Sequence, residues 1–207
     1  PPVAPSPPDK WTTRDGVRLS GEQINAVETI LGSSGNIILT GKAGSGKSTV
    51  TQWLRENHGV TVCATTGRAA IVVGGCTVDR LFCIRRDTWS VYDWGILETY
   101  MKAASSTIQI DEASMIGLQM ANAIRDVAAE FDKRLVLVGD WAQTCPVKDE
   151  WPINSSLFSD ASLISLRDCH RQTDPEFLGA LNECREGNPG ALSSSVFSKR
   201  IGKAPTG

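Results

Sequence analysis

The chain of 207 residues carries 21 Lys and Arg against 23 Asp and Glu, and 41% of its residues are hydrophobic. This length suffices for one well-packed domain and leaves little room for a second of full size. The composition is that of an ordinary globular protein, without the apolar run of roughly 18 residues that spans a bilayer and without a signal-peptide pattern, so we expect no membrane partner.

The N-terminus indicates where the folded part of the chain begins, and the cysteines indicate the redox compartment of the protein. Five of the first eight residues are proline, which predicts an extended linker over residues 1–10. No CxxC pair is present, so we expect buried free thiols, no metal cluster and a reducing, intracellular location. The cysteines concerned are Cys63, Cys76, Cys83, Cys145, Cys169 and Cys184.

Apolar runs alternate with helical patterns along the chain. Folded sequence begins near Trp11, and the segment 19–23 opens a helix with apolar residues at helical spacing. Strands alternating with helices predict an α/β fold with a parallel sheet. The predicted strands are 36–40, 60–64, 107–110, 134–138 and 163–166; the predicted helices that follow are 47–57, 117–131 and 175–186; residues 84–106 are predicted as one helix plus a loop.

A glycine-rich loop joins the first predicted strand to the helix after it. The run Gly41–Ser48 fits the pattern G-x-x-x-x-G-K-[ST], in which backbone N–H groups converge on phosphate oxygens at a helix N-terminus. We predict an ATP site here, with Lys47 reaching the β- and γ-phosphates, Ser48 ligating Mg²⁺ and Thr49 supporting the neighbouring phosphate. The predicted nucleotide-binding residues of the loop are Gly44, Ser45, Gly46, Lys47, Ser48 and Thr49.

Two adjacent acids follow the predicted strand 107–110. Asp111 would hold Mg²⁺ through its water shell, and Glu112 would be the catalytic base that activates water. Acidic pairs often lie in solvated turns, but this one follows an apolar strand downstream of a phosphate loop, which favours the catalytic interpretation.

With these two motifs placed, residues 17–190 resemble the first RecA-like domain of superfamily 1B DNA helicases, closest to the petite-integration-frequency group and its RecD-like relatives. The resemblance implies a P-loop NTPase fold, a RecA-like parallel sheet flanked by helices, with ATP and Mg²⁺ as cofactors. It also implies single-stranded DNA as a partner and translocation from 5′ to 3′.

Further segments carry this resemblance and its implied roles. Gln23, in the segment 19–28, would read the adenine edge, although Ser20 and Gln23 also fit a capping box at the helix start. The segments 64–70 and 74–79 resemble those that grip the strand backbone. Their candidate contacts are Thr66, Arg68 and Thr77, or else Thr66 is a simple helix cap; Asp79 stands where family members often carry histidine, and an acid there would repel phosphate.

The last segments resemble those that sense the γ-phosphate. Gln143 would couple the γ-phosphate to the DNA groove, and Trp141 beside it either stacks a base or packs in the core. Arg171 would stabilise the transition-state charge, for which a delocalised, always charged fork is suited.

The resemblance also predicts what lies around the domain. We expect a RecA-like domain over residues 11–190, a linker beginning at 191–207, and a second RecA-like domain in the parent protein. Residues 84–106 are short for a strand-separating hairpin, and Trp89, Tyr92 and Trp94 there form a reduced wedge or pack. Two alternatives stay open: an RNA helicase of a related viral type, and a non-motor switch that binds ATP.

Overall fold

The computed structural model describes residues 10–141 and 152–168, together with the single positions 179 and 183. Gln143, Arg171 and both predicted linkers lie outside these residues, apart from Lys10 at the edge of the first linker; of the predicted helix 175–186 only positions 179 and 183 are described, and both are helical. The expectations for them stay predictions.

Helices and strands alternate along the described residues. Every strand predicted from an apolar run is present, with bounds within about one residue of the prediction. The elements are α1 (Gly21–Gly32), β1 (Ile37–Gly41), α2 (Lys47–His58), β2 (Thr61–Ala64), α3 (Gly67–Val73), β3 (Cys76–Thr77), α4 (Val78–Leu81), β4 (Ile84–Arg85), β5 (Ser90–Val91), α5 (Trp94–Ala103), β6 (Thr107–Asp111), α6 (Leu118–Glu130), β7 (Arg134–Gly139), α7 (Ser156–Ser159) and β8 (Ser162–Leu166), with short 3-10 turns at Ala113–Met115 and Pro152–Asn154.

The described strands form a six-stranded sheet of order β3-β2-β6-β7-β1-β8, in which every neighbouring pair is parallel. Strand β1 lies between β7 and β8, with Leu39 opposite Val138 and Ile164. The carboxyl ends of all six strands therefore share one edge, where α/β sheets bind their ligands. The predicted α/β parallel sheet flanked by helices is confirmed.

Helices cover both faces of the sheet, which explains why its central strands are apolar without alternation. Ile37 and Leu39 of β1 face a core formed with α1 and α2, whereas Ile38 faces a second core formed with α5 and α6. Side chains of successive strand residues point to opposite faces, so one apolar run supplies both cores.

Residues 84–106 differ in part from the prediction of one helix and a loop. The helix is α5, but the expected loop contains an antiparallel hairpin in which Ile84 pairs with Val91. Trp89 is half-buried against the core, while Tyr92 and Trp94 are 46% and 59% exposed, so only one of the three aromatic residues packs inside. Two-residue strands are too short to show a period, which is why the sequence did not reveal them.

Among the described residues, no helix combines the length and the apolar character needed to cross a lipid bilayer. Cys63 and Cys83 are buried free thiols, and Cys76 is a half-buried one.

The edge strand β3 depends on a close approach of backbone to backbone at Gly75. A Cβ atom there would lie 2.1 Å from the carbonyl oxygen of Val62 in β2, whereas a Cβ at Gly35 would meet nothing within 4 Å. We expect Gly75→Ala to lower the free energy of unfolding by about 1–3 kcal/mol, because backbone must move apart. Gly35→Ala is the matched control and should change it by less than about 0.5 kcal/mol. Equal urea midpoints for the two variants would contradict this account of β3.

Candidate functional site

The loop from Gly41 to Ser48 has the backbone of a phosphate cradle. It begins where β1 ends and runs into the N-terminus of α2, whose cap residue Gly46 has φ +83°. Gly44 has φ +84°, a conformation that L side chains rarely adopt. A Cβ at Gly41 would lie 2.4 Å from the Ser45 hydroxyl oxygen and 2.9 Å from the Leu166 carbonyl oxygen. Glycine is therefore required at all three positions, for reasons of conformation or of space.

Lys47 and Ser45 present polar groups to this loop. The Lys47 ammonium donates to the Gly41 carbonyl at 2.6 Å and to the Lys42 carbonyl at 3.2 Å, so its charge lies over the concave side of the loop. The Ser45 hydroxyl is fully buried and has no hydrogen-bond partner among the described residues. Buried polar atoms are nearly always paired, so an orphan of this kind in a cradle fits a site for a polar ligand.

Asp111 ends β6 and Glu112 directly follows it, at the end of the strand as predicted. Asp111 lines a cavity of about 180 Å³ together with Ser48, so the two predicted magnesium ligands face the same space. Burial raises the pKa of the Asp111 carboxyl and the charge of Glu112 adds to this, while the Glu112 N–H and the Lys47 ammonium oppose it. A hydroxyl and a carboxylate at a helix start are the oxygen donors that Mg²⁺ prefers.

Glu112 adopts the left-handed backbone conformation, with φ +54°. A non-glycine residue pays for this conformation in strain, and such residues cluster at functional sites. The same turn is packed against the end of β7, because a Cβ at Gly139 would lie 2.9 Å from the Ser114 amide nitrogen. The ends of β6 and β7 are thus fixed to each other where the catalytic base is predicted.

Beyond Gly139, the structure describes the coupling segment only as far as Trp141. The Trp141 ring meets Phe158 edge-on, with centroids 5.2 Å apart and an interplanar angle of 86°, and packs against the core. The packing alternative for Trp141 is therefore the one observed, and Gln143 lies outside the described residues.

Gln23 forms the capping box that was the alternative to adenine recognition. Its side-chain oxygen accepts from the Ser20 N–H at 2.9 Å, and the Ser20 hydroxyl accepts from the Gln23 N–H at 3.3 Å. The Gln23 amide group also donates to the carbonyl of Ser45 at 3.5 Å, so it joins α1 to the phosphate loop. Adenine recognition by Gln23 stays a prediction.

The residues predicted to contact single-stranded DNA lie just after β2 and at the end of β3, at the same edge of the sheet as the phosphate loop. Thr66 caps α3 by accepting from the Ala69 N–H at 3.2 Å, and Thr77 caps α4 in the same way from Arg80 at 3.4 Å. Thr66 thus has the helix-cap role that was weighed against nucleic-acid contact, and Thr77 has a cap role that the sequence did not suggest. Arg68 is exposed on the first turn of α3. No contact of these residues with nucleic acid has been observed, and that role stays a prediction.

Two arginines that the sequence did not single out join the site to its surroundings. Arg55 of α2 donates to the Val73 carbonyl at the end of α3 and lines the cavity that contains Ser48 and Asp111. Arg86 of the β4–β5 hairpin binds Asp79. Neither belongs to a short motif, so only contacts in three dimensions reveal them.

Comparison with known proteins decides the family. The family model described as AAA domain matches residues 18–203. The chain belongs to this family. The resemblance to the first RecA-like domain of superfamily 1B helicases is confirmed by its relatives and structural neighbours.

The relatives are longer than this chain. It is 31% identical over 199 residues to the ATP-dependent DNA helicase Pif1 of Bdellovibrio bacteriovorus, covering 83% of this chain and 44% of that protein. A solved structure of two coordinating Pif1 helicases at forked DNA has a TM-score of 0.73 and 28% identity, covering 86% of this chain and 51% of that one. The Bacteroides Pif1 helicase in complex with ADP-AlF3 and single-stranded DNA has a TM-score of 0.72 and 26% identity, covering 86% and 49%. The chain thus spans about half the length of these relatives.

We expect the half-buried Asp111 carboxyl to make stability depend on pH. Its raised pKa means that the folded chain binds this proton more tightly than the unfolded chain, so stability falls as pH rises from about 3.9 through the raised value. Asp111→Asn should therefore unfold at a higher urea concentration than the wild type at pH 7, without nucleotide or Mg²⁺. The difference should shrink as pH falls towards about 4.

Asp132→Asn, at an exposed position, is the control for this substitution. The difference between its urea midpoint and that of the wild type should not change with pH. A gain from Asp111→Asn that is constant with pH would contradict the burial of an ionised carboxylate.

Proposed function

We propose that this chain is the first motor domain of an ATP-dependent DNA helicase, in which ATP hydrolysis is coupled to translocation on single-stranded DNA from 5′ to 3′. The observation that carries the proposal is the meeting of the phosphate loop with Asp111 and Glu112 at one edge of the sheet. The relatives named as DNA helicases support the same activity.

The residues of the loop would bind the triphosphate and neutralise its charge. Backbone N–H groups from Gly44 to Thr49 and the N-terminus of α2 would surround the phosphate oxygens. The Lys47 ammonium would exchange its bonds to two loop carbonyls for the β- and γ-phosphate oxygens. Ser48 and Asp111 would hold Mg²⁺, which supplies charge neutralisation between the phosphates when bound.

Glu112 would orient and deprotonate the attacking water. Glu112 directly follows β6 and has a left-handed backbone conformation. Its position is fixed because Gly139 packs against Ser114 in the turn that follows. Gln143 and Arg171 would complete the site as γ-phosphate sensor and as stabiliser of the transition-state charge. Gln23 would contact adenine from its place beside Ser45.

The single strand would cross the carboxyl ends of β2 and β3. Thr66 and Arg68 follow the end of β2 at the start of α3, and Thr77 ends the neighbouring strand β3, in which it pairs with Ala64 of β2. The Bacteroides relative has been solved with single-stranded DNA, which supports DNA as the ligand. A second RecA-like domain would supply the other wall of both the nucleotide and the DNA site, and the free buried thiols fit a reducing, intracellular location.

Glu112→Gln tests the proposed chemistry. We expect it to retain Mg·ATP binding and to reduce the rate of ATP hydrolysis about 10²–10⁴-fold, because the general base is lost while the phosphate cradle is intact. Phosphate release under saturating ATP measures the rate. Glu130→Gln, an exposed position on α6, is the control and should hydrolyse ATP at the wild-type rate.

The same assay, carried out on the parent protein with both RecA-like domains, tests the coupling to DNA. We expect single-stranded DNA to stimulate the wild type more than RNA of the same length, and Glu112→Gln to show no stimulation. A wild-type rate in Glu112→Gln would contradict the assignment of the base; stimulation by RNA alone would favour the RNA helicase; no effect of either nucleic acid would favour a non-motor switch.

A further inference from the structure

An ion pair lies beside the predicted strand contacts. Arg86 of the hairpin donates from Nε to one carboxylate oxygen of Asp79 and from Nη2 to the other, both at 2.7 Å. This is the two-pronged geometry in which arginine binds carboxylates, and phosphates, most strongly. The charge of Asp79, the acid expected from the sequence to repel phosphate, is therefore matched by a residue seven positions further along.

The pair is fixed to the end of β2. Nη2 of Arg86 also donates to the Thr65 carbonyl at 3.1 Å. The guanidinium thus contacts the residue that precedes Thr66. The Asp79 side chain is 25% exposed and that of Arg86 is 59% exposed. Within the described residues, Nη1 of Arg86 has no hydrogen-bond partner. One edge of a charged donor therefore faces solvent between the segments predicted to bind the strand.

Neutralisation by Asp79 limits what this donor can attract. The Arg86–Asp79 pair presents little net charge to a phosphate a few ångströms away. The N–H groups of Arg86 nevertheless keep their orientation. Removing only the negative partner would leave the same donors with their full positive charge. The pair therefore controls how strongly the site binds an anionic backbone.

We propose that Arg86 is a phosphate contact of the single-strand site and that Asp79 weakens this contact so that the strand is released readily. The proposal rests on the proposed function, since it requires a strand that passes Thr66 and Thr77. A phosphate oxygen would bind at Nη1, while Asp79 keeps the fork oriented through Nε and Nη2. Rapid exchange of backbone contacts is what a protein that moves along a strand needs.

Fluorescence anisotropy with a labelled oligothymidylate of about 12 nucleotides tests this, with the 207-residue chain titrated at several salt concentrations. We expect Asp79→Asn to bind about threefold to tenfold more tightly than the wild type at low salt, and its affinity to fall more steeply with salt by about 0.7 in log–log slope. Arg86→Gln should bind more weakly, with a slope shallower by a similar amount.

The double variant separates a specific pair from a general change in charge. In Asp79→Asn/Arg86→Gln, the gain from Asp79→Asn should be largely lost, because the donor that it releases is absent. Asp87→Asn removes the same charge from the exposed turn of the hairpin and is the matched control, with a much smaller gain expected. Arg86→Lys keeps the charge without the fork and should retain most of the salt slope. Urea unfolding of each variant checks that the hairpin is intact.

Each result decides between the proposals. If the wild type binds the oligonucleotide but Asp79→Asn does not differ from Asp87→Asn, the role of the pair is overturned and the proposed function stands. If the gain persists in full without Arg86, general electrostatics accounts for it and the pair is again overturned. If the wild type shows no binding at low salt, the proposed strand site falls and this inference falls with it.

Discussion

Parallel pairing of β1 with β7, and of β7 with β6, is the constraint on which the site depends. It places the end of β1, where the phosphate loop begins, two strands away from the end of β6, where Asp111 stands. Because all the carboxyl ends lie at one edge, residues more than 60 positions apart in sequence line one cavity. The apolar faces of this sheet, buried by helices on both sides, hold that arrangement rigid.

The site itself is built from features that cost stability. Asp111 is half-buried with a raised pKa, Glu112 has a strained backbone, and the Ser45 hydroxyl has no partner among the described residues. Each would be unfavourable in a protein selected for stability alone. An anionic ligand rich in oxygen atoms, bound with a divalent cation, would explain why they occur together at one edge of the sheet.

Much of this could be predicted from the sequence, because the signals are local. The apolar runs indicated the strand positions, and the glycine pattern indicated the loop in which Gly44 and Gly46 have positive φ. The contacts of Arg55 and Arg86 could not be predicted, since they join residues 18 and 7 positions apart through the fold. The two possible roles of Gln23 could not be separated either, because a capping box and a base contact need the same residue at the same place.

The same limit applies to Asp79, which lies beside the residues predicted to contact single-stranded DNA. From the sequence, an acid at this position is expected to repel phosphate. In the structure its charge is paired with that of Arg86, so the repulsion is reduced. A residue's charge predicts its effect only when its partner is known, and the partner here lies on a hairpin too short to leave a pattern.

Binding of a non-hydrolysable ATP analogue, measured by calorimetry with and without Mg²⁺, tests the central claim most directly. If the phosphate loop and Asp111 form one magnesium–nucleotide site, the wild type should bind the analogue more tightly with Mg²⁺, and Lys47→Ala should lose at least about tenfold in affinity, the equivalent of one charged hydrogen bond. Asp111→Asn should bind with little dependence on Mg²⁺. Equal affinity of the wild type and Lys47→Ala, with no effect of Mg²⁺ on either, would contradict the account.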